Sequence, residues 1–209
     1  MIRDIDTQQL LDAIDGVTYV VDAGGIIRAI GAISWQRFAA QNDASALTAG
    51  SMIGTSVFAG IDGPDVRAAC ERLHDSVCQG QRPAVTYEYR CDAPDVERRM
   101  RMSISPVAGN GNVVMALYQS QLLAEAPRLP LGLLSMKHRG VTTAVQSSEE
   151  HVALCSFCHD IAWPIGARPE NQIWIAIEDY YRRGGLGEVV ISHGICPRCI
   201  ERIVTPNEA

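Results

Sequence analysis

The spacing of apolar and polar positions changes several times along the chain, and each change marks an element. Asp6-Thr7-Gln8-Gln9 has the form of a helix start. Asp6 is placed to cap, and Gln9, three residues on, can reach back to its backbone N–H. Ile5 and Leu10 are spaced for a hydrophobic staple, Leu10, Leu11 and Ile14 supply a short apolar stripe, and Gly16 ends the helix. That stripe either packs on its own domain or forms a dimer contact. Val17-Thr18-Tyr19-Val20-Val21-Asp22 reads as a strand, Ala23-Gly24-Gly25 as a turn, and residues 26–33 as the returning strand. Ser34 then caps a helix with Trp35, Phe38 and Ala39 on one side, and residues 43–61 are short, Gly-punctuated pieces. A longer helix opens at Asp62-Gly63-Pro64, with the proline in its first turn. Val66, Ala69, Cys70, Leu73 and Val77 recur at helical spacing, and Gly80 closes it.

Three strands follow. Residues 85–90 and 99–104 alternate with period two, and residues 112–122 form the last strand, reached through Gly109-Asn110-Gly111. Met100, Met102 and Ile104 share one strand face, as do Val113, Met115 and Leu117. Residues 123–150 read as a linker. Pro127 and Pro130 interrupt structure, residues 129–134 can pack on either half, and residues 142–150 are polar. In the remainder, Asn171 is a candidate cap for a helix carrying Ile173, Trp174, Ile177, Tyr180 and Tyr181 and ending at Gly184-Gly185. Residues 188–192 read as a strand, and Cys196-Pro197 as a second helix start. The expected division is 1–122, a linker over 123–150, and 151–209, with no internal repeat.

Composition narrows the function. The 209 residues are 47% apolar and 20% charged, with 18 Gly and 10 Pro, a globular balance. Residues 1–150 carry 13 basic and 17 acidic side chains, and residues 151–209 carry 5 and 7. Neither half offers the basic field that non-specific nucleic-acid binding needs. No apolar run approaches the ~20 residues of a membrane-spanning helix. The acidic start is unlike a signal peptide, so the expected location is the cytoplasm. There is no phosphate-binding glycine loop, G-x-S-x-G or H-E-x-x-H string, and no enzyme is expected.

Cysteine is where the chemistry concentrates. Cys70, Cys78 and Cys91 are scattered, whereas Cys155, Cys158, Cys196 and Cys199 form two C-x-x-C pairs. An odd total of 7 without an export signal argues against a disulfide framework. Zinc takes four thiolates in a tetrahedron, and each C-x-x-C can offer two sulfurs from one tight turn. Cys196 and Cys199 would sit at a helix N-terminus, where exposed N–H groups favour thiolates. A knuckle plus a helix start is a treble-clef-like site. It leaves no open coordination position and so suits structure rather than hydrolysis. The rival readings are a redox-active dithiol, unliganded packing cysteines, and His159 or His193 replacing one ligand. Cys155-Ser156-Phe157-Cys158-His159 also spells the c-type haem string, but that leaves Cys196 and Cys199 unexplained.

The order strand, strand, short helices, long helix, three strands resembles a PAS sensor domain. The Asp22-Ala23-Gly24-Gly25-Ile26-Ile27 turn is similar to the one joining the first two PAS strands. Ile53-Gly54 followed by Val57-Phe58 is similar to the step before the long PAS helix. Trp35-Gln36-Arg37-Phe38-Ala39-Ala40-Gln41-Asn42 and Tyr89-Arg90-Cys91-Asp92-Ala93-Pro94 resemble a bacterial PAS subgroup. Downstream, Cys155-x-x-Cys158, Trp174-x-x-x-Glu178-x-Tyr180 and Ser192-His193-Gly194-Ile195-Cys196-Pro197-x-Cys199 resemble a cysteine segment attached to bacterial PAS, response-regulator and histidine-kinase proteins. The resemblance implies an α+β fold: a PAS-like five-stranded antiparallel sheet with flanking helices, plus a small treble-clef-like zinc module. It implies a sensory protein acting through a separate protein effector, with a homodimer as a candidate state. It also implies a cavity between sheet and helices, for which Val66, Cys70, Leu73, His74, Met100, Met102 and Met115 are the candidate lining. The alternative is a filled core.

Among family ligands, haem would use His74, although haem-binding PAS domains carry their histidine nearer the helix start. A photoactive flavin would need an Asn-Cys-Arg-Phe-Leu-type string, which is absent. Arg90, Arg99 and Arg101 are expected on a solvated strand face, with Glu88 as a partner and anion binding as the alternative. Two functional rivals remain: a thiol/disulfide redox sensor, and a zinc-dependent nucleic-acid-binding regulator, which the acidic balance opposes.

Overall fold

The computed structural model describes residues 6–42, 44–93, 95–108, 114–134, 151–187 and 189–204. Ile5 and its staple, Pro94, the 109–113 turn with Val113, residues 135–150 of the expected linker, and Glu188 lie outside the described residues. The chain divides into two compact units. One takes residues 1–61, 67–88 and 100–123; the other takes 62–66, 89–99 and 124–209.

The first sheet has five antiparallel strands in the order β2-β1-β5-β4-β3. These are β1 (Val17–Asp22), β2 (Ile27–Ile30), β3 (Val85–Arg90), β4 (Val96–Ala108) and β5 (Val114–Pro127). Its helices are α1 (Thr7–Ala13), α2 (Ala32–Gln41), α3 (Ala49–Met52) and α4 (Pro64–Cys78). This is the α+β, PAS-like arrangement that the resemblance implies.

The expected capping box opens α1: Asp6 accepts the Gln9 N–H at 2.8 Å, and the Gln9 side chain accepts the Asp6 N–H at 3.1 Å. The apolar face of α4 is buried at Val66, Ala69, Leu73 and Val77, as its spacing requires. The two turn motifs of the first unit meet each other. The Ile27 N–H donates to Thr55 O at 3.0 Å and the Val57 N–H to Gly25 O at 2.9 Å. Gly25 has φ +79, and a Cβ there would fall 2.4 Å from the Phe58 ring, so only glycine fits. The co-occurrence of the 22–27 turn and the 53–58 step is therefore a packing relationship.

Several boundaries differ from the sequence reading: β4 and β5 extend past the expected 104 and 122, to Ala108 and Pro127, and α2 starts early. The second strand stops at Ile30, and α2 begins at Ala32 rather than after Ser34. The cause is tertiary. Asp12 Oδ1 accepts the Ile33 N–H at 3.0 Å, and Gln8 Nε2 donates to Ile30 O at 3.0 Å. Side chains of α1 thus satisfy backbone groups at the end of β2 and the start of α2, and Ser34 Oγ donates to Gly31 O at 3.2 Å.

The second sheet has four strands in the order β8-β7-β6-β9: β6 (His151–Cys155), β7 (Ile161–Trp163), β8 (Ile173–Ile175) and β9 (Val190–Gly194). The single helix expected from an Asn171 cap to Gly184-Gly185 is instead a strand followed by a shorter helix. Ile173-Trp174-Ile175 pairs antiparallel with β7, and only α5 (Ile177–Arg182) is helical, with Ala176 rather than Asn171 at its N-cap. β-Branched and aromatic residues favour the pleated pairing. Leu133, Leu134, Val152, Leu154, Ile161, Ile175, Ile177 and Tyr180 form this unit's core. Leu133 and Leu134 therefore pack on the second half.

Candidate metal centre

Strand register assembles the cysteines. β6 and β9 run parallel, with Cys155 opposite Gly194. The two C-x-x-C pairs consequently leave the sheet at the same end, past the C-termini of β6 and β9. After β6 the chain makes a tight turn in which the His159 N–H donates to Cys155 O at 2.9 Å, and the Cys155 N–H to Asp160 O at 2.8 Å. The Ser156 N–H donates to Gly194 O at 3.0 Å, fastening the turn to the end of β9. Cys196 is the N-cap of α6 (Pro197–Cys199), with Pro197 in the first position; a π-turn over Ile200–Val204 follows. The Cys196 N–H points at Cys155 Sγ, 3.4 Å away. The hairpin knuckle and the helix start are the treble-clef-like pieces.

The four sulfurs lie within 4.8 Å of one another. Cys158 Sγ and Cys196 Sγ are 3.6 Å apart. A tetrahedron with metal–sulfur bonds of about 2.3 Å has an edge of about 3.8 Å, so this spacing suits an ion at the centre. Cys155, Cys196 and Cys199 are buried and Cys158 is half-buried. The donor set fits a thiophilic metal ion. Hydrogen bonds from the Cys158 and Cys199 thiols pull Cys155 far below the ordinary thiol range. Burial, ahead of the charge on its neighbours, pushes Cys196 up to about 11. Cys199 is driven up because its proton is held between Cys155 and Cys158. A divalent cation at the centre would favour the thiolate form of all four cysteines.

Polar groups surround the sulfurs. Arg198 Nη2 is 2.7 Å from Asp160 Oδ2. Burial pushes Asp160 up to about 6, against the pull of Arg198. His193 Nδ1 lies 3.3 Å from Ser156 Oγ, and His159 Nδ1 lies 3.1 Å from Asp92 Oδ2. Both histidines hydrogen-bond beside the site. Asp92 is fully buried and also meets Arg90 Nη2 at 2.6 Å and Arg128 Nη2 at 3.2 Å. Burial pushes its carboxyl up, but His159, the Arg98 N–H and Arg90 outweigh this and hold it at about 2. Arg90 therefore corrects the expectation of a solvated arginine row: its side chain is 18% exposed and faces Asp92, while Arg101 pairs with Glu88 at 3.6 Å. Asp92, Arg128 and Glu178 carried no signal of a shared site in the sequence, because only the fold brings these distant positions together.

The candidate pocket residues divide by burial. Val66, Leu73, His74 and Met100 are 1–3% exposed, whereas Cys70, Met102 and Met115 are half-buried. Both His74 ring nitrogens are engaged. Nε2 lies 3.0 Å from Asp22 O, which can only accept, so Nε2 carries the proton and Nδ1 accepts from Tyr118 Oη at 3.0 Å. Burial pushes the Tyr118 hydroxyl well above its usual range and keeps it a donor. Burial likewise raises Cys70 to about 11. A separate cleft of about 280 Å³ is lined by Asp12, Asp15, Gly16, Ile33 and Arg37, none of them in this set. Among the described residues, no helix is long and apolar enough to cross a membrane.

No family model matches the chain, and no curated protein matches it. Solved structures are similar in part. The PAS domain of Bordetella pertussis BvgS is 12% identical over 56% of this chain and 83% of that one, with a TM-score of 0.44. A domain of an HTR-like protein from Haloarcula marismortui is 14% identical over 52% of this chain and 97% of that one, with a TM-score of 0.36. The PAS-B domain of Drosophila melanogaster Cycle is 17% identical over 51% of this chain and 99% of that one, with a TM-score of 0.35. The PAS-like description stands on this chain's own strand order and helix placement, not on those scores.

Proposed function

We propose that the chain is a non-enzymatic cytoplasmic sensory or regulatory protein. In this reading a PAS-like domain over residues 1–122 is followed by a linker over 123–150 and a module over 151–209. Cys155, Cys158, Cys196 and Cys199 hold a structural zinc ion in the module. The observation that carries the reading is the convergence of four sulfurs from two distant C-x-x-C pairs to within 4.8 Å. When bound, zinc would supply cross-linking of the knuckle to the start of α6, and four protein ligands leave no position for a substrate. With no catalytic set in view, the PAS-like domain would respond to a small ligand or redox state and signal by protein contact, as a dimer or with a separate effector. The engaged nitrogens of His74 weigh against haem at that position.

Elemental analysis with an absorption spectrum of the purified chain tests this. The expected result is one zinc per chain and no Soret or flavin band. Zinc below a tenth of the chain concentration, after purification without chelator, would overturn it.

A second reading rests on Cys158, the one residue of the four that is half-buried rather than buried. Peroxide could reach it, making the site a thiol/disulfide sensor that releases metal. Thiol counting and zinc release under mild peroxide separate the two readings. A purely structural site keeps both its thiols and its metal.

A further inference from the structure

We infer that Asp92 is a positioning residue for the metal centre. Its buried carboxylate tethers His159, and through it the left-handed turn that presents Cys158 beside Cys155. The inference rests on the reading that the four cysteines hold zinc. Asp92 and His159 are 67 positions apart, and both belong to the second unit.

A zinc knuckle has to aim two sulfurs from one short turn, and here that turn needs help. His159 follows Cys158 directly and has φ +61, a conformation disfavoured for residues with a Cβ. Two contacts from the same upstream segment brace it. Asp92 Oδ2 accepts from His159 Nδ1 at 3.1 Å, and the Arg90 backbone N–H donates to Phe157 O at 2.7 Å. They grip the turn on either side of Cys158. The carboxylate is itself fixed, because its side chain is 0% exposed and Oδ1 accepts the Arg98 N–H at 2.9 Å. Arg90 and Arg128 neutralise it, and Glu178 meets both arginines at 3.4 and 3.2 Å. The aspartate thus touches no sulfur, yet it constrains the backbone that carries one. Groups that hydrogen-bond a metal ligand directly alter metal affinity by about 10–100-fold, and Asp92 acts one residue further out, through the backbone of the turn.

The test uses the zinc-loaded full chain and follows zinc transfer to the chromogenic chelator 4-(2-pyridylazo)resorcinol, with thermal unfolding measured in parallel. Asp92→Asn is expected to speed release by about 10-fold or more. Glycine adopts positive φ without a tether, so His159→Gly makes the tether redundant. In that background Asp92→Asn is expected to add less than about 3-fold, a coupling read by the double-mutant cycle. Asp179→Asn, which removes an acid of the same unit that pairs with Arg182 outside this network, is expected to leave release within about 2-fold of wild type. Zinc-bound wild type with Asp92→Asn releasing at the wild-type rate overturns this inference alone. So does an equal acceleration in the His159→Gly background, because Asp92 would then act through general stability. A wild-type chain that carries no zinc overturns the metal reading and this inference with it.

Discussion

Cys158 Sγ and Cys196 Sγ lie 3.6 Å apart although 38 positions separate them in the chain. Parallel pairing of β6 with β9 makes this distance, and the treble-clef-like reading depends on it. Cys196→Ser is accordingly expected to abolish zinc retention and to remove the protease resistance of residues 151–204. Structural zinc contributes about 10–16 kcal/mol of apparent binding free energy, more than a module of this size gains from its core. Residues 6–61 are expected to stay folded. Elemental analysis and limited proteolysis with mass mapping check both parts, and retained resistance beyond residue 151 contradicts the expectation.

Metal removal should act on the same element. Treating wild type with excess chelator is expected to expose all four thiols of the module to a thiol reagent, whereas Cys70, raised to about 11 by burial, stays slow. Thiol counting with and without chelator reads this directly. Equal counts in the two conditions contradict a metal at the cysteines.

Asp92 gives the module a pH dependence of definite sign. Its folded carboxyl is held at about 2, below the ordinary value of 3.8. The stabilisation is therefore complete above about pH 5 and fades as pH falls from about 4 toward 2, amounting to about 2 kcal/mol at neutral pH. Asp92→Asn is expected to lower the melting temperature most at pH 6–7, with the gap from wild type narrowing below pH 4. Calorimetry at several pH values tests it, and a pH-independent gap contradicts it.

The His74 network should be felt in the first unit. Tyr118→Phe leaves His74 Nδ1 buried without its donor, and is expected to cost about 1–3 kcal/mol in urea unfolding. Nitrogen NMR of the wild type should show the Nε2–H tautomer. The Nδ1–H tautomer contradicts the assignment.

Gly185 is limited by contact rather than by backbone angle. A Cβ there would fall 2.3 Å from the ring of fully buried Tyr180, whose hydroxyl donates to Leu186 O at 2.9 Å. Gly185→Ala is expected to destabilise the second unit by about 1–3 kcal/mol, read as a lowered denaturation midpoint. An unchanged midpoint contradicts the packing argument.

What was legible in the sequence was what local chemistry controls. The capping box at Asp6 and Gln9, the apolar face of α4, the period-two strands and the two C-x-x-C pairs are set by neighbours a few positions away. The α+β class followed from their order. What the sequence left open depended on distant partners. Whether Ile33 began a helix depended on the Asp12 carboxylate, and whether Ile173-Trp174-Ile175 was helix or strand depended on β7 being there to pair. Arg90 reads as one of a solvated row although Asp92 stands two positions away, because what buries that pair is Arg128 and His159, which lie far along the chain. Caps and periodicities are short-range and can be read along the chain. Strand partners and buried ion pairs join residues that sequence distance says nothing about, so only the tertiary structure could place them.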